Sequence, residues 1–141
     1  QLSNHMHNLI QGLEGLHSGM ATLQRSIAGK SDARPIDRSE IKPPRAHPIV
    51  RSPESTKHKA IFVNPHFTVG IKGLDAEESN WVLDQLYKIA TQPENIYRHQ
   101  WQTGDVLVWD NRRTMHYAVR DYTEEMPRKL HRCTASGEIP V

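Results

Sequence analysis

Apolar positions recur at steps of three and four at the start of the chain. Met6, Leu9, Ile10, Leu13, Leu16 and Met20 fall on one stripe over residues 4–20, the period of an amphipathic helix. Ser3 stands where its hydroxyl can accept from an unpaired first-turn N–H. Gly15 lowers helix propensity and Gly19 suits a helix end. Residues 24–46 then lose all periodicity, with three prolines, six basic and three acidic residues. That composition predicts a long loop, either disordered or a lid. Beyond it the pattern turns to short extended pieces at 47–51, 59–64 and 67–71, with Asn64-Pro65 as a turn. Residues 75–91 return to a helical period. Asp75 is the cap and Glu77 and Glu78 suit the first turn. Trp81, Leu83, Leu86, Ile89 and Ala90 form the apolar face, flanked by Val82 and Tyr87, and Pro93 stops the helix. The remainder reads as strands at 96–101, 106–110, 114–119 and 129–136, separated by turns at 103–105 and 111–113. Short antiparallel strands with a helix packed outside predict a mainly β, α+β fold, a sandwich or barrel with helical decoration.

Composition narrows the function classes. The chain has 141 residues, enough for one domain. Its 36% hydrophobic and 24% charged content is that of a folded protein rather than a disordered one. A net charge of +2 gives no nucleic-acid footprint. No apolar run is long enough for a membrane span, and no secretory signal is visible. One cysteine, Cys133, cannot form an internal disulfide, which fits a reducing, cytoplasmic setting. Opening on Gln1 rather than Met, the sequence reads as a fragment or a processed chain.

Strand parity selects the candidate chemistry. Over 114–119, Thr114, His116 and Ala118 share a face, read as an inward one, where small neighbours leave His116 room for a metal or ligand. The bland alternative is a core histidine bonded to a backbone carbonyl. Over 129–136, Leu130, Arg132 and Thr134 share a face, and Arg128 at the strand entry has the same parity. Guanidinium forks clamp carboxylates and sulfonates bidentately, although a solvated basic edge explains the same pair. The other histidines read as scattered: His5 and His7, then His17, His47, His58, His66, His99 and His131. Cys133, inside the last strand, reads as a small buried thiol rather than a nucleophile.

The run 104–118 shifts this balance. It has Gly104-Asp105, then Trp109-Asp110-Asn111-Arg112, Thr114 and His116, followed by Asp121-Tyr122, Arg128 and His131-Arg132-Cys133-Thr134. This pattern resembles the taurine dioxygenase family, which includes the 2,4-dichlorophenoxyacetate dioxygenases. His47-Pro48, Phe62-Val63-Asn64, Phe67-Thr68 and the Asp75 helix match it as well, so the likeness runs over roughly residues 1–139. The resemblance implies a partial double-stranded β-helix, or jelly roll. It also implies Fe(II) and 2-oxoglutarate as cofactor and cosubstrate, O2 as oxidant, and hydroxylation of an acidic small molecule such as taurine or another sulfonate. Carried over by position, His116 is an iron ligand, Arg128 grips the distal carboxylate of 2-oxoglutarate, and Arg132 holds the acidic group of the substrate. Phe67 stands near the substrate. Asp110, Asn111 and Arg112 form the turn that sets the His116 strand. Neither nucleic acid nor membrane is implied as a partner, and a homo-oligomer is compatible.

One departure is large. The family's other two iron ligands come from an upstream His-x-Asp, and no histidine here is followed two residues later by Asp or Glu. The expectation is a C-terminal part of one oxygenase domain over 1–141, inactive in isolation. The alternative is a non-catalytic ligand-binding or interaction module with a degenerate metal site. A histidine-rich zinc site would need a second ligand beside His116, which spacing does not supply.

Overall fold

A computed structural model of the chain describes residues 2–20, 42–52, 58–119, 121–123, 125–126 and 129–137. Most of the 24–46 segment and Arg128 therefore lie outside the described residues.

Helix α1 spans Asn4–Ile10 and strand β1 spans Glu14–His17. Ser3 caps α1 as expected, its Oγ accepting from the Met6 N–H at 3.1 Å. The helix expected over 4–20 ends early. Gly12 turns the chain at φ 83°, a conformation that favours glycine, and Leu13 donates back to the Ile10 carbonyl. Leu16 therefore belongs to a strand. The helical stripe lost because β1 is flanked by two ladders, which give its backbone groups partners on both sides.

Strands β2 (Arg45–Pro48) and β5 (Thr68–Ile71) pair antiparallel with β1, in the order β2-β1-β5. Pro48 sits on the outer strand of that order, where the missing N–H costs least. Strands β3 (Val50–Arg51) and β4 (Ala60–Ile61) make a second, two-stranded ladder. Ile49 joins the two ladders, donating to the Leu13 carbonyl and accepting from the Phe62 N–H.

Helix α2 spans Ala76–Ala90. Asp75 and Glu78 form a reciprocal capping box, with the Glu78 N–H at 2.9 Å from Asp75 Oδ1 and the Asp75 N–H at 3.1 Å from Glu78 Oε2. The Asp75→Ala variant should lose about 1 kcal/mol of unfolding free energy, measured by urea denaturation. The buried face of α2 is Ser79, Val82, Leu83 and Leu86, spaced i, i+3, i+4, i+7. Trp81, expected on that face, is 55% exposed, and Val82 takes the inward position. Ser79 Oγ accepts from the Ile71 N–H at 3.1 Å, which ties α2 to β5. The core gathers Ile10, Ile49, Val63, Ile71, Val82, Leu83 and Leu86.

Past a single 3-10 turn at Pro93–Asn95, the described residues hold no further helix or strand. The strands expected at 96–101, 106–110, 114–119 and 129–136 are not formed there, and Val106 and Val108 are 88% and 87% exposed. Alternation along a segment says which side chains share a face. It makes a strand only when a neighbouring backbone accepts and donates, and the central β1 already has both sides occupied. Among the described residues the architecture is small and mainly strands, with α1 and α2 as its helices apart from helical residues 19–20.

Candidate active site

The turn expected after residue 109 forms, and it is tightly held. The Asp110 carboxylate accepts from the Arg112 N–H, Nε and Nη2, each at 2.9 Å. The Arg112 guanidinium and backbone N–H hold the Asp110 carboxyl down at about 2. The Asp110 carbonyl accepts from the Arg113 and Thr114 N–H groups and from Thr114 Oγ1. Trp109 Nε1 donates to Asn111 Oδ1 at 2.8 Å. This reversal brings the Trp109 and His116 rings together, with centroids 5.0 Å apart. Asp110, Asn111 and Arg112 thus build the turn and position His116.

The inward orientation expected for the candidate residues is not what the structure shows. His116 and Arg132 are both exposed, because 114–119 and 129–136 lie outside any ladder. Arg128 lies outside the described residues. Cys133, expected to be buried in a strand, is exposed for the same reason. Phe67 is 45% exposed and stands in the 65–67 turn. That turn is anchored at both ends. The Phe67 carbonyl accepts from the Ser18 N–H at 2.8 Å, and Thr68 Oγ1 accepts from the Asn64 N–H at 2.8 Å. Among the described residues no three His, Cys, Asp or Glu side chains converge on a point that could hold a metal.

Two clusters went unread in the sequence. Rings of His17, His47 and Phe62 meet at 5.4–6.0 Å, and the Arg51 guanidinium lies 4.8 Å from the Phe62 ring centroid. The β1–β2 register sets His47 opposite Gly15, two positions from His17, so strand pairing is the signal that would have found it. Burial, with His47 beside it, lowers His17 from its ordinary value. Further along, His99 hydrogen-bonds Tyr97 Oη through Nδ1 (3.3 Å) and Asp105 Oδ2 through Nε2 (3.0 Å). Its ring packs edge-on to Trp101. Asp105 also accepts from the Gln102 N–H, so this group closes the turn around Gly104.

A model of the taurine catabolism dioxygenase TauD, TfdA family matches residues 1–134. The chain belongs to that family. Among TauD, TfdA-type proteins, an alpha-ketoglutarate-dependent sulfate ester dioxygenase of Pseudomonas putida is 41% identical over 95 residues, covering 67% of this chain and 31% of the relative. A crystal structure of a taurine dioxygenase from Burkholderia xenovorans superposes with a TM-score of 0.55 at 27% identity, covering 74% of this chain and 31% of that one. A crystal structure of AAD-2 in complex with Mn(II) and N-oxalylglycine superposes with a TM-score of 0.58 at 26% identity, covering 72% and 38%. This chain therefore spans less than half the length of each. The family implies iron, and the described residues do not make an iron site on their own: one exposed imidazole beside Trp109 cannot supply the coordination iron needs. No helix among the described residues is long and apolar enough to cross a membrane.

Proposed function

We propose that this chain is the C-terminal part of an Fe(II)- and 2-oxoglutarate-dependent dioxygenase that hydroxylates an acidic small molecule, with a sulfonate such as taurine or a sulfate ester as the leading class. The observation that carries the reading is the family match over residues 1–134, supported by the turn that sets His116 against Trp109. In this proposal residues 96–137 complete a jelly roll when partner strands are present. His116 contributes one nitrogen ligand, and the remaining metal ligands come from outside the described residues. Arg128 holds the distal carboxylate of 2-oxoglutarate by a bidentate, charge-assisted pair, and Arg132 holds the anionic group of the substrate in the same way. Phe67, whose carbonyl is held by Ser18 just past β1, offers an apolar wall beside the substrate. The protein's share of the reaction is to orient these two anions and to keep bulk water from competing for the guanidinium groups.

The test separates the two arginines. In the protein expressed with its upstream coding sequence, Arg128→Ala should raise the KM for 2-oxoglutarate by about 30-fold or more and leave the KM for substrate within a few-fold, as expected for one buried partner lost. Arg132→Ala should reverse the pattern. Equal effects on both constants would overturn the division of roles.

A second reading, a ligand-binding module without turnover, is favoured by one observation: the lack of a three-ligand cluster among the described residues. An in-frame His-x-Asp upstream would set it aside.

A further inference from the structure

We propose that His17, packed against His47, forms an acid-sensitive latch between β1 and β2, so that protonating the His17 ring loosens the pairing of the two strands. The two imidazoles lie on one face of the sheet, with ring centroids 5.4 Å apart and planes at 60°. Phe62 contacts both, at 5.5 and 6.0 Å. His17 lies over Gly15: a Cβ there would come within 3.1 Å of His17 Nε2. Any larger residue at position 15 would displace the ring.

His17 Nε2 is buried and has no hydrogen-bond partner, while Nδ1 faces Thr68 Oγ1 at 3.5 Å. A proton added at Nε2 would place a charge where no acceptor waits for it. The groups around it make this worse. From β2 come His47 and Arg45, the Cα partner of His17. From β3 comes Arg51, stacked on Phe62. β5 and the 62–63 segment supply Thr68, Phe62 and Val63, none of which titrates. Glu14, the carboxylate of β1, alternates to the other face and is paired with Lys72. Lys42 lines the same cavity as His17 and Arg45, so apart from Glu14 on the other face the fixed charges in this set are cations.

The direction follows from linkage. His17 binds a proton less readily in the folded sheet than in an opened one. The resulting stability is present above the ordinary histidine value of about 6.5 and is lost as pH falls below it, towards the lowered native value.

Hydrogen exchange on the full chain between pH 7.5 and 5 tests the latch. Protection factors of β1 and β2 amides should fall below pH 6.5 by up to about tenfold per pH unit, the limit for one imidazole that gains a proton only on opening. His17→Gln and His47→Gln should each flatten that fall. An unchanged fall in both variants, or no fall in the wild type, overturns the proposal. Should either variant fail to fold, the wild-type His17 ring is titrated by NMR: a midpoint below that of a histidine peptide supports the latch, and one at or above it overturns the latch.

Discussion

The His116→Ala variant, expressed with its upstream coding sequence, should lose 2-oxoglutarate-dependent succinate formation by at least about a hundredfold. Losing even an outer-shell partner of a metal ligand costs 10–100-fold, and His116 is proposed to be a ligand itself. The substitution separates chemistry from folding. His116 is exposed and its ring contact among the described residues is with Trp109, so unfolding free energy of the 141-residue chain should move by no more than about 0.5 kcal/mol. Iron(II) affinity should fall together with turnover. If both survive, the role assigned to His116 is wrong, and the turn at 110–114 serves only the fold.

The largest stability loss is expected at Leu86→Ala. Leu86 is 0% exposed and sits in the cluster that joins α2 to Ile10, Ile49 and Ile71. Truncating a fully buried leucine removes its transfer free energy and leaves a cavity, about 2–5 kcal/mol together. A domain of this size has roughly 5–15 kcal/mol in all, so the variant should denature at clearly lower urea or fail to fold. Trp81→Ala is the control, because that ring stands mostly in water. A Trp81 effect as large as that of Leu86 would mean that the face assigned to α2 is wrong.

Local signals in the sequence carried far where the deciding forces are local. Ser3, the Asp75 cap, the Asn64-Pro65 turn and the 111–113 turn all form where side chains and backbone a few residues apart satisfy one another. Periodicity misled where the outcome depends on distant partners. The stripe through Leu13 and Leu16 looks helical, yet β2 and β5 claim that backbone from far along the chain. The 106–110 and 114–119 segments alternate well and still form no ladder. For the candidate site, the order of residues around His116 was enough to indicate the family. The His17–His47 pair was illegible because nothing short of the β1–β2 register places residue 47 beside residue 17.

The Asp110 clamp sets an order of events in acid. Its carboxyl titrates at about 2, below the ordinary range, so the contribution of the Arg112 pair is complete above roughly pH 4 and disappears only as pH falls through 2. The exposed setting keeps that contribution small. Mild acidification therefore reaches the strands around His17 first and spares this reversal, leaving the indole of Trp109 and the imidazole of His116 as neighbours in a chain whose sheet has already begun to open.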